Sequence, residues 1–307
     1  MSTPDASTRK TPEEALAWEA ANRTKASIAA WVAAVLALGG GIVTSLAYSA
    51  LPAYPDKVVT ITDALGDLAA GQTIPAGRAA YQLHWISDHP AALTVGPLLT
   101  AFSALLVFGV LAYLFQAVKA RAQRFGRSPL VFAAIGAVAY GVGTAVVGIG
   151  RVVAAGNFSA TGTNADAVDA LGSGPIAVGT VLQLLGSFSL GFAFIMIALN
   201  AMRVGLLTRF MGVLGMIVGA TFVLPLDQQG IIRSFWLVAI GFLFAGKWPR
   251  GVPAAWRTGD AEPWPSASRV RQQQAAAAGG QAVLETPAPA PPPQQSTGQR
   301  RKKRKRK

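Results

Sequence analysis

The sequence predicts an all-α protein built as a polytopic bundle of transmembrane helices, and three observations carry that prediction. Of the 307 residues, 52% are hydrophobic and only 13% are charged, which is about half the charged fraction of a soluble domain. The apolar residues are concentrated in six segments, and four of these reach the roughly 20 residues needed to cross a bilayer core. Lys and Arg, which give the chain a formal net charge of +13, cluster between alternate segments.

The chain begins with a polar leader, residues 1–26, which contains the pattern of a helix start at Thr11-Pro12-Glu13-Glu14. Thr11 can serve as the N-cap, Pro12 suits the first helical position, and Glu14 can complete a capping box. We therefore expect a short cytosolic helix that leads to the first span.

The membrane domain, residues 27–246, contains the six predicted spans. The fifth and sixth are short and are joined by only Asp227-Gln228-Gln229-Gly230. We favour a sixth span because Trp236 and Trp248 bracket it as interfacial anchors would, and a re-entrant segment is the alternative. The predicted spans are residues 27–50, 91–118, 129–150, 176–199, 210–226 and 231–246.

The placement of the bases predicts the orientation. With six spans and a cytosolic N-terminus, 23 of the 27 Lys and Arg residues lie on the inner side, and only Lys57, Arg78, Arg151 and Arg233 lie outside. Membrane proteins keep an excess of positive charge on the cytoplasmic side. Both termini are therefore expected in the cytoplasm, in a multi-pass protein of the plasma (inner) membrane.

Residues 247–307 form a tail of different composition, with nine of the 19 prolines, and are predicted to be disordered. The tail ends in eight consecutive bases: Arg300, Arg301, Lys302, Lys303, Arg304, Lys305, Arg306 and Lys307. Such a cluster on the cytoplasmic side favours contact with anionic phospholipid head groups. Nucleic acid is the second candidate partner, because the same charges would neutralise phosphates, and a solvated tail with no specific partner is the third possibility.

The two histidines of the chain, His84 and His89, share an outer segment with Asp88. His84 and Asp88 are four residues apart, so on a helix both could face one ion, and two imidazoles with a carboxylate suit zinc. His89 lies well around the helix from His84, however, and an interfacial pair that caps the second span is the interpretation we favour. No metal site and no cofactor is therefore predicted.

The predicted spans carry no charged residue near their centres, where such a residue would point to transport or catalysis. The absence of Cys excludes disulfides, thiolate metal sites and Cys nucleophiles. No catalytic constellation is present, so an enzyme is not expected. Mid-span polar residues more often bond neighbouring helices than bind a substrate, and here they are limited to Ser103, Thr144, Gln183, Ser187, Ser189 and Thr221.

The run from Ala198 to Gly215 resembles a stretch found in a family of multi-span bacterial integral membrane proteins, a domain of unknown function. Similar motifs follow at Gly246-Lys-Trp-Pro249, Pro253-Ala-Ala-Trp256 and Glu262-Pro-Trp-Pro265. The resemblance covers about residues 175–266 well and the first half in outline. It implies the structural class and carries no activity that could be transferred.

Two functional hypotheses remain open. The first is an accessory or scaffolding membrane protein whose basic tail contacts anionic lipid or a cytosolic partner. In that case Gly215-xxx-Gly219 could serve a homodimer as well as internal packing. The second is a permease for a small solute or lipid, with a cavity between two helical hairpins. Mid-span polar groups that converge on one cavity would favour the permease, and their dispersal into separate helix contacts would favour the scaffold.

Overall fold

The computed structural model describes the helical part of the chain, which belongs to a compact unit that ends at Trp264. The described residues are 11–49, 65–66, 69–71, 77–122, 124–158, 162–172, 174–224, 226–227, 229–249 and 251–264. Within these ranges the structure contains helices and no strand, which confirms the predicted all-α class.

The helices of the described ranges are α1 (Pro12–Ser49), α2 (Arg78–Asp88), α3 (Pro90–Arg121), α4 (Ser128–Gly156), α5 (Asn164–Leu171), α6 (Gly174–Arg203), α7 (Arg209–Val223), α8 (Ile231–Phe244) and α9 (Ala255–Thr258). Four of them, α1, α3, α4 and α6, are long and apolar enough to cross a membrane. In contrast, α7 and α8 have only 15 and 14 residues. At 1.5 Å per residue each extends about 22 Å, which is less than the roughly 30 Å of a bilayer core.

The first helix, α1, joins the predicted leader helix and the first predicted span into one helix of 38 residues. The predicted capping box is present at its start. The Thr11 amide donates to the Glu14 carboxylate at 3.0 Å, and the Glu14 amide donates to the Thr11 hydroxyl at 3.2 Å. Because residues 13–38 contain neither Gly nor Pro, nothing in the sequence ends the helix before it enters the apolar segment.

The six apolar helices pack in a closed order, in which α1, α3, α4, α6, α7 and α8 each contact the next and α8 returns to α1. Glycine permits the closest approaches. A Cβ at Gly186 of α6 would overlap the backbone of Tyr140 in α4, and one at Gly219 of α7 would lie 2.7 Å from the carbonyl oxygen of Gly191 in α6. In the described chain, Gly219 of the Gly215-xxx-Gly219 pattern therefore packs internally.

The outward faces of the apolar helices carry large hydrophobic side chains. Val35, Phe102, Ile135 and Val181 are examples, each more than half exposed. A soluble monomer rarely exposes apolar surface on every side of a bundle, because water penalises each contiguous apolar patch. This surface is the one expected of a helical bundle surrounded by lipid.

Residues 251–264, called the strap from here on, cross the end of the bundle where α6 turns into α7. The indole nitrogen of Trp256 donates to the carbonyl oxygen of Leu206 at 2.8 Å, and that of Trp264 donates to the carbonyl oxygen of Leu207 at 2.8 Å. The strap therefore satisfies backbone acceptors that the α6–α7 turn leaves free.

Arg121, at the last turn of α3, ties the strap to α1. Its guanidinium forms a buried ion pair with Glu19, and one of its nitrogens also donates to the carbonyl oxygen of Ala255 at 2.6 Å. Removing one partner of a buried pair leaves an uncompensated charge and costs about 3–5 kcal/mol. Arg121 therefore holds the leader, α3 and the strap together at one end of the bundle.

The strap belongs to the predicted tail, residues 247–307, and lies in the compact unit that ends at Trp264. Residues 251–264 are held by the two indole hydrogen bonds and by Ala255, which is fully buried. The burial and hydrogen bonds of these indoles offset the entropy lost when the segment becomes ordered. A prediction of disorder from Pro content and low hydrophobicity does not include such contacts. Residues 265–307, including the eight bases Arg300–Lys307, lie outside the described residues.

Substitution of Gly186 by Ala tests the close packing of α4 against α6. We expect a lower melting temperature in detergent, by several degrees, because the added methyl must displace the backbone of Tyr140 and overpacking costs about 1–3 kcal/mol. Gly109→Ala is the matched control, since a Cβ at Gly109 of α3 meets nothing within 4 Å. Size-exclusion chromatography of heated samples measures both, and equal stability of the two variants would contradict the proposed packing role.

Candidate functional site

The site begins at a seam between α1 and α8, which run antiparallel. Three bonds from side chains to backbone oxygens hold this seam, joining Ser27 to Gly241 (3.0 Å), Trp31 to Val238 (3.3 Å) and Ser234 to Ala34 (3.0 Å). Arg23 extends the seam at its far end by donating to the carbonyl oxygen of Phe244. The start of α1 and the end of α8 therefore lie at the same end of the bundle.

The seam places the link between α7 and α8 against the side of α1. A Cβ at Gly41 of α1 would overlap the backbone of Gln229, and Gly230, at φ +72°, packs against the carbonyl oxygen of Ala37. Helix α1 continues for eight residues beyond Gly41, to Ser49, which adds about 12 Å. The hairpin formed by α7 and α8, called the short hairpin below, therefore turns well before the end of its neighbour.

A cavity of about 440 Å³ lies at this turn, and all six apolar helices contribute to its wall. Its uncharged polar lining consists of Thr100, Tyr140, Thr180, Gln183, Ser187 and Thr221. A second cavity of about 230 Å³ shares Gly41, Thr100, Tyr140 and Gln183 with the first and adds Thr144 and Arg151. We call the first the main cavity and the second the side cavity.

The mid-span polar residues singled out in the sequence divide between two roles. Ser103 donates to the carbonyl oxygen of Ala33 at 2.8 Å and Ser189 to that of Phe132 at 2.9 Å, so both join neighbouring helices. The other four line the two cavities: Thr144, Gln183, Ser187 and Thr221. Most of the mid-span polarity therefore converges on one region.

Asp227 and Arg233, which the sequence placed in an outer loop and at an outer helix end, both line the main cavity. Asp227 is 7% exposed and caps α8, because its carboxylate accepts the amides of Ile232 (3.1 Å) and Arg233 (3.0 Å). A negative charge is stabilised at a helix N-terminus. Neither residue lies near the centre of a predicted span, and both reach the cavity wall because the short hairpin turns against α1 at Ala37 and Gly41.

Arg233 is also 7% exposed, and its guanidinium carbon lies 4.2 Å from the ring centre of Phe222. Two side-chain polar atoms of the described residues are buried without a hydrogen-bond partner, Arg233 Nε and Thr144 Oγ1. Both belong to residues that line these cavities. Unsatisfied buried donors are costly, so their concentration here marks the cavities as the candidate site.

The histidine segment does not form a metal site in the described residues. The ring of His89 stacks on Trp85 with centroids 4.6 Å apart, and its Nδ1 lies 3.1 Å from the Trp85 carbonyl oxygen. The ring of His84 packs against Phe158 instead, at 5.2 Å. No group of three His, Asp or Glu side chains that could hold an ion occurs in the described ranges, so His84, Asp88 and His89 are not brought together.

A larger groove of about 680 Å³ lies between α4, α5 and α6 but offers little chemistry. Its lining is apolar apart from Asn157 and Asp166, and Asp166 already completes the capping box of α5 with Thr163. The Thr163 hydroxyl and amide hold the pKa of Asp166 below its usual value, so this carboxylate stays ionised and occupied. We therefore place the candidate site in the main and side cavities.

One sequence signal pointed to Asp227 and Arg233. The fifth and sixth apolar segments are too short for two full crossings and are joined by a link with an acidic residue. Two short helices joined by a link that lies against α1 explain both features. The residues of the other helices that complete the wall, such as Thr100 and Thr180, carry no comparable signal.

A single cysteine tests whether water reaches the main cavity. The chain contains no Cys, so Gln183→Cys introduces a unique thiol into the shared wall of both cavities. We expect labelling by a water-soluble methanethiosulfonate reagent, because the reactive thiolate forms only in contact with water. Val181→Cys is the control on the same helix, with a side chain 56% exposed on the outer face. Equal labelling of both positions would contradict a water-filled cavity.

Comparison with protein-family models, with curated proteins and with solved structures finds no match to this chain.

Proposed function

We propose that this protein is a multi-pass membrane protein that binds a small polar solute in the main cavity, as a permease does. The observation that carries the proposal is the convergence of mid-span polar side chains and two charged residues on one cavity walled by six apolar helices. A buried charge in a membrane costs at least about 2.5–3.5 kcal/mol and is retained where it serves a function. A purely scaffolding bundle has no need of such a cavity.

The orientation we propose has four crossing helices and a re-entrant short hairpin. It is supported by the length of α7 and α8 and by the position of their link beside Ala37 and Gly41. Discontinuous helices whose ends meet near the bilayer midplane are typical of solute sites in transporters. The excess of Lys and Arg near the leader and the strap supports cytosolic termini in the plasma (inner) membrane, and the resemblance to multi-span bacterial proteins agrees with that class.

Thermal stabilisation by solutes tests the proposal. We expect at least one class in a panel of sugars, amines, amino acids, carboxylates and phosphates to raise the melting temperature of the purified protein. A solute at 100 times its Kd stabilises by about 2.7 kcal/mol, which corresponds to several degrees. Gln183→Leu should abolish the shift because it removes the amide from the cavity wall. Ser103→Ala is the control, since Ser103 contacts Ala33 outside the cavity.

The proposal fails if no solute of the panel changes the melting temperature and the Gln183→Cys thiol also stays unlabelled. A solute that stabilises Gln183→Leu as strongly as the natural chain would place binding elsewhere.

We propose a second role for the terminal bases Arg300–Lys307, which is contact with anionic lipid at the cytosolic surface. The run of eight bases at the end of a proline-rich segment supports it. Each base near an anionic surface contributes about 1 kcal/mol.

A soluble fragment of residues 265–307 should therefore bind vesicles of phosphatidylglycerol and phosphatidylcholine. We expect its affinity to fall at least a hundredfold when residues 300–307 are deleted. Vesicle co-sedimentation measures this, with pure phosphatidylcholine as the uncharged control. Unchanged binding after the deletion would contradict the lipid role, as would a stronger affinity for duplex nucleic acid at the same salt concentration.

A further inference from the structure

We propose that the solute of the main cavity carries a carboxylate and that Arg233 is the residue that binds it. This inference rests on the proposed function and deepens it, because it names the chemical class of the solute and its principal contact.

Arg233 is a buried cation whose guanidinium forms no ion pair in the described part of the chain. Its guanidinium lies against the face of the Phe222 ring, and its Nε has no hydrogen-bond partner among the described residues. The nearest acidic residue in sequence, Asp227, uses both carboxylate oxygens to accept backbone amides of α8. The charge of Asp227 is therefore engaged by the helix N-terminus, and no ion pair with Arg233 is present.

A buried arginine with no ion pair destabilises the folded protein unless an anion neutralises its charge. A cation–π contact offsets only a small part of the cost of an uncompensated buried charge. An anion in the main cavity would supply both the missing charge and an acceptor for the free Nε–H.

The rest of the wall favours a small carboxylate over a bulky or multiply charged anion. A planar guanidinium pairs with a carboxylate through two parallel hydrogen bonds, and one arginine balances one negative charge. The hydroxyls of Thr180, Ser187 and Thr221 already donate to carbonyl oxygens of their own helices, so they present lone pairs to the cavity. The carboxylate of such a solute would bind Arg233. A hydroxyl or ammonium group at its other end would donate to the hydroxyl oxygens of the cavity wall.

The side cavity also favours a negatively charged solute. Arg151 lines it and donates to the Tyr48 hydroxyl at 2.8 Å, near the end of α1. Its lining includes Thr144, whose hydroxyl is buried without a partner, and no acidic residue. An anion that approached from this end would therefore meet a second arginine on its way to the main cavity.

Thermal titration of the full-length protein in detergent tests the assignment with named probes. The probes are acetate and L-lactate as carboxylates, glycerol as a neutral solute, methylammonium as a cation, inorganic phosphate, and short-chain phosphatidylglycerol as an anionic lipid. We expect the carboxylates to stabilise the natural protein and the other probes to have little effect. Stabilisation by glycerol or methylammonium alone would overturn the carboxylate assignment and leave the proposed function standing, and so would stabilisation by phosphatidylglycerol or phosphate alone.

Arg233→Gln and Arg233→Lys identify the contact. We expect the apparent Kd for L-lactate to rise at least tenfold in Arg233→Gln and by less in Arg233→Lys, which keeps the charge and loses the planar fork. Without solute, Arg233→Gln should be at least as stable as the natural protein, because it removes an unpaired charge. Arg127→Gln is the control for net charge, since Arg127 is exposed. An unchanged Kd in Arg233→Gln would overturn the assignment.

A second measurement does not depend on the folding of the Arg233 variants. L-lactate should slow the labelling of the Gln183→Cys thiol at least threefold, because both groups face the main cavity. Phosphatidylglycerol and glycerol should leave the labelling rate unchanged. A thiol that is labelled at the same rate with and without L-lactate would overturn the carboxylate assignment, whereas a thiol that is never labelled would count against the proposed function itself.

Discussion

The seam between α1 and α8 is the constraint on which the cavity depends. Side chains of both helices bond backbone carbonyls of the other, and Gly41 permits the link of the short hairpin to lie against α1. Because α8 has only 14 residues, alignment at the end near Arg23 leaves its start beside Ala37. The space that a full-length pair of helices would fill then becomes a cavity. The polar side chains face a cavity because α8 is too short to fill the space beside them.

Charge placement follows from the same constraint. If the link lay at the outer surface, Asp227 and Arg233 would be ordinary solvated residues. With the link against α1, Asp227 is buried and binds the α8 amides, whereas the Arg233 guanidinium lies on an aromatic ring and binds no carboxylate. The two charges therefore do not cancel one another, although they are six residues apart. The main cavity is therefore lined by one carboxylate that backbone amides already bind and by one guanidinium that no side chain binds.

Packed side chains close the end of the bundle that holds the leader. At the end that holds the leader, Arg121 joins Glu19 to the strap, and Trp256 lies among the rings of Tyr113 and Phe244. Between that end and the cavity, Phe194 packs on both Phe222 and Trp236. Passage of a solute toward the strap would require these rings to move, because packed aromatic layers leave no space for a solute.

The sequence by itself determined the class of the protein, since long apolar segments need helices to satisfy their backbone in lipid. It also determined the capping box at Thr11 and the polar residues available for a site. It did not determine the end of the ordered chain, because the indoles of Trp256 and Trp264 find their carbonyl partners only after the α6–α7 turn has formed. Only the tertiary structure decided that Thr144, Gln183, Ser187 and Thr221 share one region with Arg233. Helix periodicity predicts on which face of its helix a residue lies. It does not predict where along α1 the short hairpin turns, and the position of that turn brings these side chains together.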